Sequence, residues 1–117
     1  CLFLGYRQNA TAYLKLFDIF SQTSYSESIS IALLEAAAAK KAIICSDIPV
    51  NRDIFSDDEV AFFTLDDISS LTGAIEGLYL NKSNFENKVF EKYQQEYTSE
   101  KMVKRYYELY KSLIYEI

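Results

Sequence analysis

Residues 18–45 read DIFSQTSYSESISIALLEAAAAKKAIIC, and this stretch decides the fold. Residues 17–23 predict a strand, a helix is expected from about Ser28 to Lys40, and Ala42–Cys45 predicts a second, wholly apolar strand. A strand that is apolar on both faces is typical of a parallel sheet covered by helices on both sides. We therefore expect a strand–helix–strand unit here.

The same alternation continues on either side of this unit. Short apolar runs at 2–4 and 60–64 predict two further strands. A short helix with Asn9 or Thr11 as its cap is expected to carry Tyr13, Leu14 and Leu16. Further helices are expected from Pro49 to Phe55 and from a cap at Asp66 to about Leu80. The fold class predicted is α/β, a Rossmann-like parallel sheet flanked by helices.

The remainder of the chain, from Phe85 onward, has a wholly helical pattern, and its last helix is expected to begin at Thr98 or Ser99. Apolar residues recur there at helical spacing. They are Met102, Val103, Tyr106, Leu109, Tyr110, Leu113 and Ile117. Two interpretations stay open, namely packing onto the sheet and docking against a second lobe. For the domain organisation we expect 1–80 to contain the sheet and 81–117 to form helices packed on it, in one compact domain.

Composition excludes several classes of function. The net charge of −5 argues against nucleic acid as a partner, because phosphate binding needs a clustered basic surface. The absence of histidine removes Ser–His and Cys–His catalysis and most zinc sites, and no metal site is predicted. Cys45 lies in an apolar run and is expected to be a buried, reduced thiol, which fits a cytosolic compartment. No initiator methionine or basic leader is present, so the chain resembles the middle of a longer reading frame.

Two carboxylates bracket the apolar helix of the central unit. Glu35 interrupts a surface that is otherwise apolar, so it should be paired, neutralised or facing an opening. A structural ion pair with Arg7, Lys15 or a neighbouring lysine is the simplest explanation. Glu27 lies in a polar loop before the helix, where a carboxylate complements the helix dipole.

The spacing of these carboxylates favours a different interpretation. Eight residues of continuous helix would separate Glu27 from Glu35 by roughly 12 Å. Glycosidase acid–base pairs stand about 5–9.5 Å apart, so this pair matches them poorly. The spacing suits a ligand that lies along the helix. Free amides from about Ser28 to Ile31, beyond the carboxyl end of a strand, could bind a diphosphate without a basic side chain.

The stretch 18–38 resembles the hallmark segment of retaining glycosyltransferases with two Rossmann-like lobes, the family 4 type of the GT-B architecture. These proteins carry a Glu-x(7)-Glu motif, here Glu27 to Glu35. Segments 3–5, 42–53 and 97–110 also resemble the family, in the same order. Ser28 stands where glycine is common, and Lys40 and Ala42 stand where glycine and proline are usual. The resemblance implies that 1–80 form part of a nucleotide-sugar-binding lobe.

Roles follow from the resemblance, position by position. Glu27 would act as the catalytic carboxylate near the donor sugar hydroxyls, and Glu35 would bind the ribose hydroxyls. The amides of Ser28, Ile29 and Ser30 would meet the diphosphate. The full-length protein would transfer a hexosyl group with retention of configuration, from a nucleotide-diphosphate sugar and without a metal or another cofactor.

The partners implied lie partly outside this chain. A glycan or lipid-linked acceptor would bind through an N-terminal lobe upstream of Cys1, so this piece alone is expected to be inactive. The resemblance implies a cytoplasmic protein, with peripheral association at the inner face of the membrane as an option. The alternatives are a non-catalytic interaction module and a nucleotide-sugar epimerase on the same fold.

Overall fold

The computed structural model describes residues 1–115. It contains a parallel sheet of three strands in the order β1–β2–β3, with β1 at Ile19–Gln22, β2 at Ala42–Ser46 and β3 at Ala61–Phe63. The helices are α1 (Ala10–Tyr13), α2 (Ile31–Ala38), α3 (Pro49–Ile54), α4 (Ile68–Leu80), α5 (Lys82–Glu96) and α6 (Ser99–Tyr115). A 3-10 turn, Leu14–Leu16, follows α1. The predicted α/β sheet flanked by helices is confirmed.

The central strand β2 explains why the sheet is covered on both sides. Every residue of β2 is buried, and successive side chains point to opposite faces. Ile43 and Cys45 pack with Leu33 and Val89, whereas Ile44 packs in a second cluster on the other face. Two small cores therefore lie on either side of one sheet, as the continuous apolar run predicts.

The first predicted strand is wrong. Leu2–Leu4 adopts no strand, and Leu2 and Phe3 are 81% and 90% exposed. A strand needs a neighbouring strand to satisfy its N–H and C=O groups, and no strand within residues 1–115 pairs with this run. The apolar run is therefore not sufficient to make a strand.

The cap of α4 is Asp67 instead of the predicted Asp66. The Asp67 side chain accepts a hydrogen bond from the Ser70 amide at 2.9 Å. Asp66 has a φ of 59°, a left-handed conformation that aspartate tolerates in turns. The helix consequently starts one residue later than the pattern indicated.

The end of α2 is closed by a Schellman motif. The Lys40 amide donates to the Ala37 carbonyl and the Lys41 amide to the Ala36 carbonyl, both at 3.0 Å. Lys40 has a φ of 56°, where glycine is the least strained residue. The position at which the family usually has glycine is therefore a left-handed cap that this chain builds with lysine.

The last helix does not bury an apolar face on the sheet. All residues of α6 are exposed, including Met102, Leu109 and Leu113, and its neighbour in the fold is α5. Ile117 lies outside the described residues. The division into 1–80 and 81–117 stays a prediction. Across residues 1–115, none of the helices combines the length and apolar composition that a membrane span requires.

Candidate functional site

The candidate site lies where β1 and β2 end. The two strands run parallel, with Gln22 opposite Cys45, so the loop that leaves β1 lies beside the last residues of β2. Residues 23–30 form this loop and lead into α2. Crevices at the carboxyl ends of parallel strands are the usual ligand sites of open α/β sheets.

Glu27 occupies the loop and is half-buried. Its Oε1 atom accepts a hydrogen bond of 2.6 Å from the Ser24 hydroxyl. One carboxylate oxygen is thereby oriented by the protein. The loop position predicted for Glu27 agrees with the structure, while its catalytic role stays a prediction.

The helix after Glu27 begins at Ile31, three residues later than predicted. Ser28 and Ile29 are exposed loop residues, so the estimate of a continuous rise from Glu27 to Glu35 does not apply. The Ile31 amide, predicted to be free, donates to the Ile29 carbonyl at 3.2 Å. Within residues 1–115, the amides of Ser28, Ile29 and Ser30 donate no hydrogen bond. Of the predicted set, only the loop amides are therefore unpaired within the described residues.

Ser30 is the N-cap of α2 and is almost fully buried. Its hydroxyl oxygen accepts from the Leu33 amide at 3.4 Å and from the Gln22 side-chain amide. Ser, Thr, Asp and Asn are preferred at this position because their side chains satisfy a first-turn amide. The side chain of Ser30 thus joins the end of β1 to the start of α2, and its backbone amide donates no hydrogen bond within residues 1–115.

Glu35 is exposed, contrary to the expectation that it interrupts a buried surface. The reason is that α2 buries only one side, with Leu33, Ala36 and Ala37, and leaves Ile31 65% exposed on the other. The predicted structural ion pair is also absent, since Glu35 forms no salt bridge within the part of the chain described. The alternative that Glu35 faces an opening is the one that the structure supports.

That opening is a cavity of about 280 Å³ between α2 and the first twenty residues. Glu35 lies on its wall together with Ala32 from the same helix. Gly5, Arg7 and Thr11 contribute from the N-terminal segment. Apolar walls with a few polar groups are typical of small-molecule pockets.

The basic residue nearest the end of β2, Arg52 on α3, is already engaged. It binds Asp47 and Asp57 at 2.7 and 2.8 Å and lies 3.7 Å from the centre of the Phe62 ring. The hydrogen bond from Arg52 lowers the pKa of Asp47. Arg52 is therefore not a free phosphate ligand, and the unpaired loop amides are candidate donors to an anion.

Several polar residues of the site escaped prediction from the sequence. The Ser46 hydroxyl, at the end of β2, donates to the Ser24 carbonyl at 2.6 Å. The Tyr25 hydroxyl donates to a carboxylate oxygen of Asp66 in the loop after β3. The sequence gives one indication of such a residue, because the polar Ser46 directly follows the apolar run Ala42–Cys45.

Most of the chain matches a known protein family. The model of the family described as glycosyl transferases group 1 matches residues 1–105. The chain belongs to the group 1 glycosyltransferases. Its sheet, helices and loop after β1 therefore form part of a glycosyltransferase lobe.

The chain is also similar to a curated protein and to a solved structure. O-antigen biosynthesis glycosyltransferase WclY from Escherichia coli is 25% identical over 115 residues, which is 98% of this chain and 32% of the relative. Sucrose-phosphate synthase from Thermosynechococcus elongatus superposes with a TM-score of 0.75 at 17% identity. That likeness covers 90% of this chain and 27% of the synthase, and it shows that the fold is a GT-B Rossmann-like fragment. The chain spans about a third of the length of the curated relative.

Proposed function

We propose that this chain is the donor-binding part of a retaining glycosyltransferase of the family 4 type. It would bind a nucleotide-diphosphate sugar, and the full-length protein would transfer the hexosyl group with retention of configuration. Glu27 would lie at the sugar end of the donor and Glu35 at the ribose end. The observation that carries the proposal is the loop between β1 and α2, which holds an oriented carboxylate next to unpaired backbone amides.

The loop amides support diphosphate binding. Ser28, Ile29 and Ser30 lie at the amino end of α2, where the partial positive charge of the helix favours an anion. No basic side chain of this chain needs to take part, and no resident cofactor or metal belongs to the proposal. Glu27, one residue before these amides, is close enough in sequence to contact the group attached to the diphosphate.

The cavity beside Glu35 supports binding of the nucleoside. A carboxylate can accept two hydrogen bonds, which suits the neighbouring hydroxyls of a ribose. Because Glu35 is exposed and forms no ion pair within residues 1–115, its oxygens are available to a ligand. The cavity volume of about 280 Å³ lies near the lower limit of small-molecule sites, so it would take only part of the donor.

The acceptor side of the proposal rests on the relatives. The name of the Escherichia coli relative places that protein in O-antigen biosynthesis. We propose that the full-length protein also acts in polysaccharide biosynthesis. Its acceptor would be a glycan or a lipid-linked acceptor, bound by a lobe that this chain does not include. The reaction would then take place in the cytoplasm, with the protein held peripherally at the inner membrane face.

Donor binding can be tested by thermal shift on the full-length polypeptide that contains this chain. UDP-glucose, GDP-mannose and ADP-glucose would be compared, and one of them should stabilise the protein by about 2.7 kcal/mol at one hundred times its Kd. Glu35→Gln should weaken binding of the free nucleotide by about tenfold or more, since hydrogen bonds to a charged group contribute ~1.5–3 kcal/mol. Glu27→Gln should mainly lower the rate of transfer.

A matched control is Glu76→Gln, which removes an exposed carboxylate on α4, away from the loop. It should leave both nucleotide affinity and transfer unchanged. Wild-type affinity and rate in both Glu27→Gln and Glu35→Gln would refute the assigned roles. A protein that binds none of the nucleotide sugars would favour the interaction module, and interconversion of donor sugars would favour the epimerase.

A further inference from the structure

We propose that Ser24 and Ser46 are positioning residues that fix the carboxylate of Glu27 relative to the sheet. The inference rests on the proposed function, because it concerns how the donor sugar is held. It assigns a role to two serines that lie outside the Glu-x(7)-Glu motif. Their hydrogen bonds connect the buried central strand of the sheet to the carboxylate at the sugar end of the site.

The connection begins in the core. Ser46 is the last residue of β2 and is completely buried. The Asn51 side-chain amide donates to the Ser46 carbonyl oxygen at 2.9 Å, and Asn51 is itself completely buried. The Ser46 position is therefore held by the central strand on one side and by α3 on the other.

The next step reaches the loop. The Ser46 hydroxyl donates to the Ser24 carbonyl oxygen at 2.6 Å, across a separation of 22 residues in sequence. This is a tertiary hydrogen bond from the sheet to the first part of the loop. Residues 23–30 contain no helix or strand, so such bonds must define their conformation.

The last step orients the carboxylate. The Ser24 hydroxyl donates to Glu27 Oε1 at 2.6 Å, a length typical of a strong bond from a hydroxyl to a carboxylate. One oxygen of Glu27 is thus occupied by Ser24, and the other can face a ligand. A carboxylate that is oriented before the donor binds loses less side-chain freedom on binding.

Ser26 provides a comparison within the same loop. It lies next to Glu27, is exposed, and makes no side-chain hydrogen bond within residues 1–115. Ser26→Ala and Ser24→Ala each remove one serine hydroxyl, from two positions in the same loop that are separated by Tyr25. A difference between the two variants therefore reports the hydrogen bond to Glu27 and not the chemistry of the substitution.

The readout is the ratio of two dissociation constants, measured by calorimetry on the full-length polypeptide. One is for the nucleotide sugar that binds the wild type, chosen from UDP-glucose, GDP-mannose and ADP-glucose, and the other is for the matching sugar-free nucleoside diphosphate. A residue that acts only on folding would change both constants together. A residue that positions Glu27 for the sugar should change only the constant for the nucleotide sugar.

We expect Ser24→Ala to weaken nucleotide-sugar binding by about 5- to 20-fold relative to the diphosphate. Ser24→Thr, which keeps the hydroxyl, should restore the wild-type ratio, and Ser26→Ala should not change it. Ser46→Ala should act in the same direction and also lower Tm, because it removes a buried hydrogen bond at the sheet. In the Glu27→Gln background, Ser24→Ala should have no further effect, since a positioning residue acts through its target.

Three results would overturn the inference while leaving the proposed function intact. One is an unchanged ratio in Ser24→Ala although Glu27→Gln changes it. Another is an additive effect of Ser24→Ala in the Glu27→Gln background. The third is an unchanged ratio in Glu27→Gln although that variant lowers the rate of transfer. If no nucleotide sugar binds, the proposed function fails and the role of the serines fails with it.

Discussion

The orientation of α2 decides which residues face the donor, and Leu33→Ala tests it. Leu33 is completely buried and packs against Ile43 and Cys45 of the central strand, whereas Glu35 lies on the exposed side of the same helix. Replacement by alanine removes three carbon atoms from the larger of the two cores. The substitution keeps a good helix former, so its effect should come from packing and not from helix propensity.

The expected loss in free energy of unfolding is about 3 kcal/mol, within the ~2–5 kcal/mol range for buried leucine. A loss near the middle of the range is expected because β2 and α5 enclose the Leu33 side chain and limit the collapse of the void that the substitution leaves. In urea, with an m-value of ~1–3 kcal/mol/M, the midpoint should fall by roughly 1–3 M. Far-UV circular dichroism is a suitable probe, because the chain has no tryptophan.

Ile31→Ala is the matched control on the same helix. Ile31 is 65% exposed, so its truncation should cost less than about 1 kcal/mol. Equal losses for the two variants would refute the assigned orientation of α2 and, with it, the exposure of Glu35. Leu33→Ala should retain nucleotide affinity while folded, because its side chain points away from the cavity that Glu35 lines.

Four further predictions concern the helix ends and the buried thiol. A thiol reagent should modify only Cys1 in the native chain, because Cys45 is buried and burial raises its pKa to about 12. As the pH rises from about 9 towards 12, the unfolded chain releases the Cys45 proton before the folded chain does, so the free energy of unfolding should fall. Cys45→Ala should show a smaller slope, the remainder coming from groups such as Tyr97, whose pKa burial also raises. Ser30→Ala should lower the free energy of unfolding by ~1–2 kcal/mol in denaturant titrations, since α2 loses its cap and Gln22 its partner. Lys40→Gly should raise Tm, because a left-handed lysine costs ~1 kcal/mol relative to glycine.

The parallel sheet could be predicted because its evidence is local. Continuous apolar runs such as Ala42–Cys45 are typical of a strand buried on both faces, and β2 is such a strand. The run Leu2–Leu4 is also wholly apolar and forms no strand. Strand formation depends on a partner that supplies hydrogen bonds, and composition does not say where the partner is.

The side of α2 that is exposed could not be read from its residues. Its sequence contains four alanines in succession, from 36 to 39, and alanine is compatible with either environment. Glu35 therefore appeared as a single polar residue within a buried surface, although Ile31 and Ala38 are exposed beside it. The packing of β2 and α5 selects the buried side, and α5 is far away in sequence.

The hydrogen bonds around Glu27 were invisible for a similar reason. Serine occurs in loops, caps and strand ends alike, so its presence does not indicate a particular contact. Nothing in the amino-acid sequence connects Ser24 with Ser46, which are 22 residues apart. Only the parallel register of β1 and β2 brings the two together. The motif could therefore locate the carboxylates, but not the groups that hold one of them in place.

The late start of α2 changes how an anion would be bound. If the helix began at Ser28, its first turn would present amides along the helix axis. Instead, the cap uses the Leu33 amide, the Ile31 amide is bonded within the chain, and the free amides of residues 28–30 belong to the loop. The dipole of an eight-residue helix still favours an anion, but the direction of the amides is set by the conformation of the loop. Phosphate and sugar would then be bound by the same loop, the phosphate by its backbone amides and the sugar by the Glu27 carboxylate that Ser24 orients.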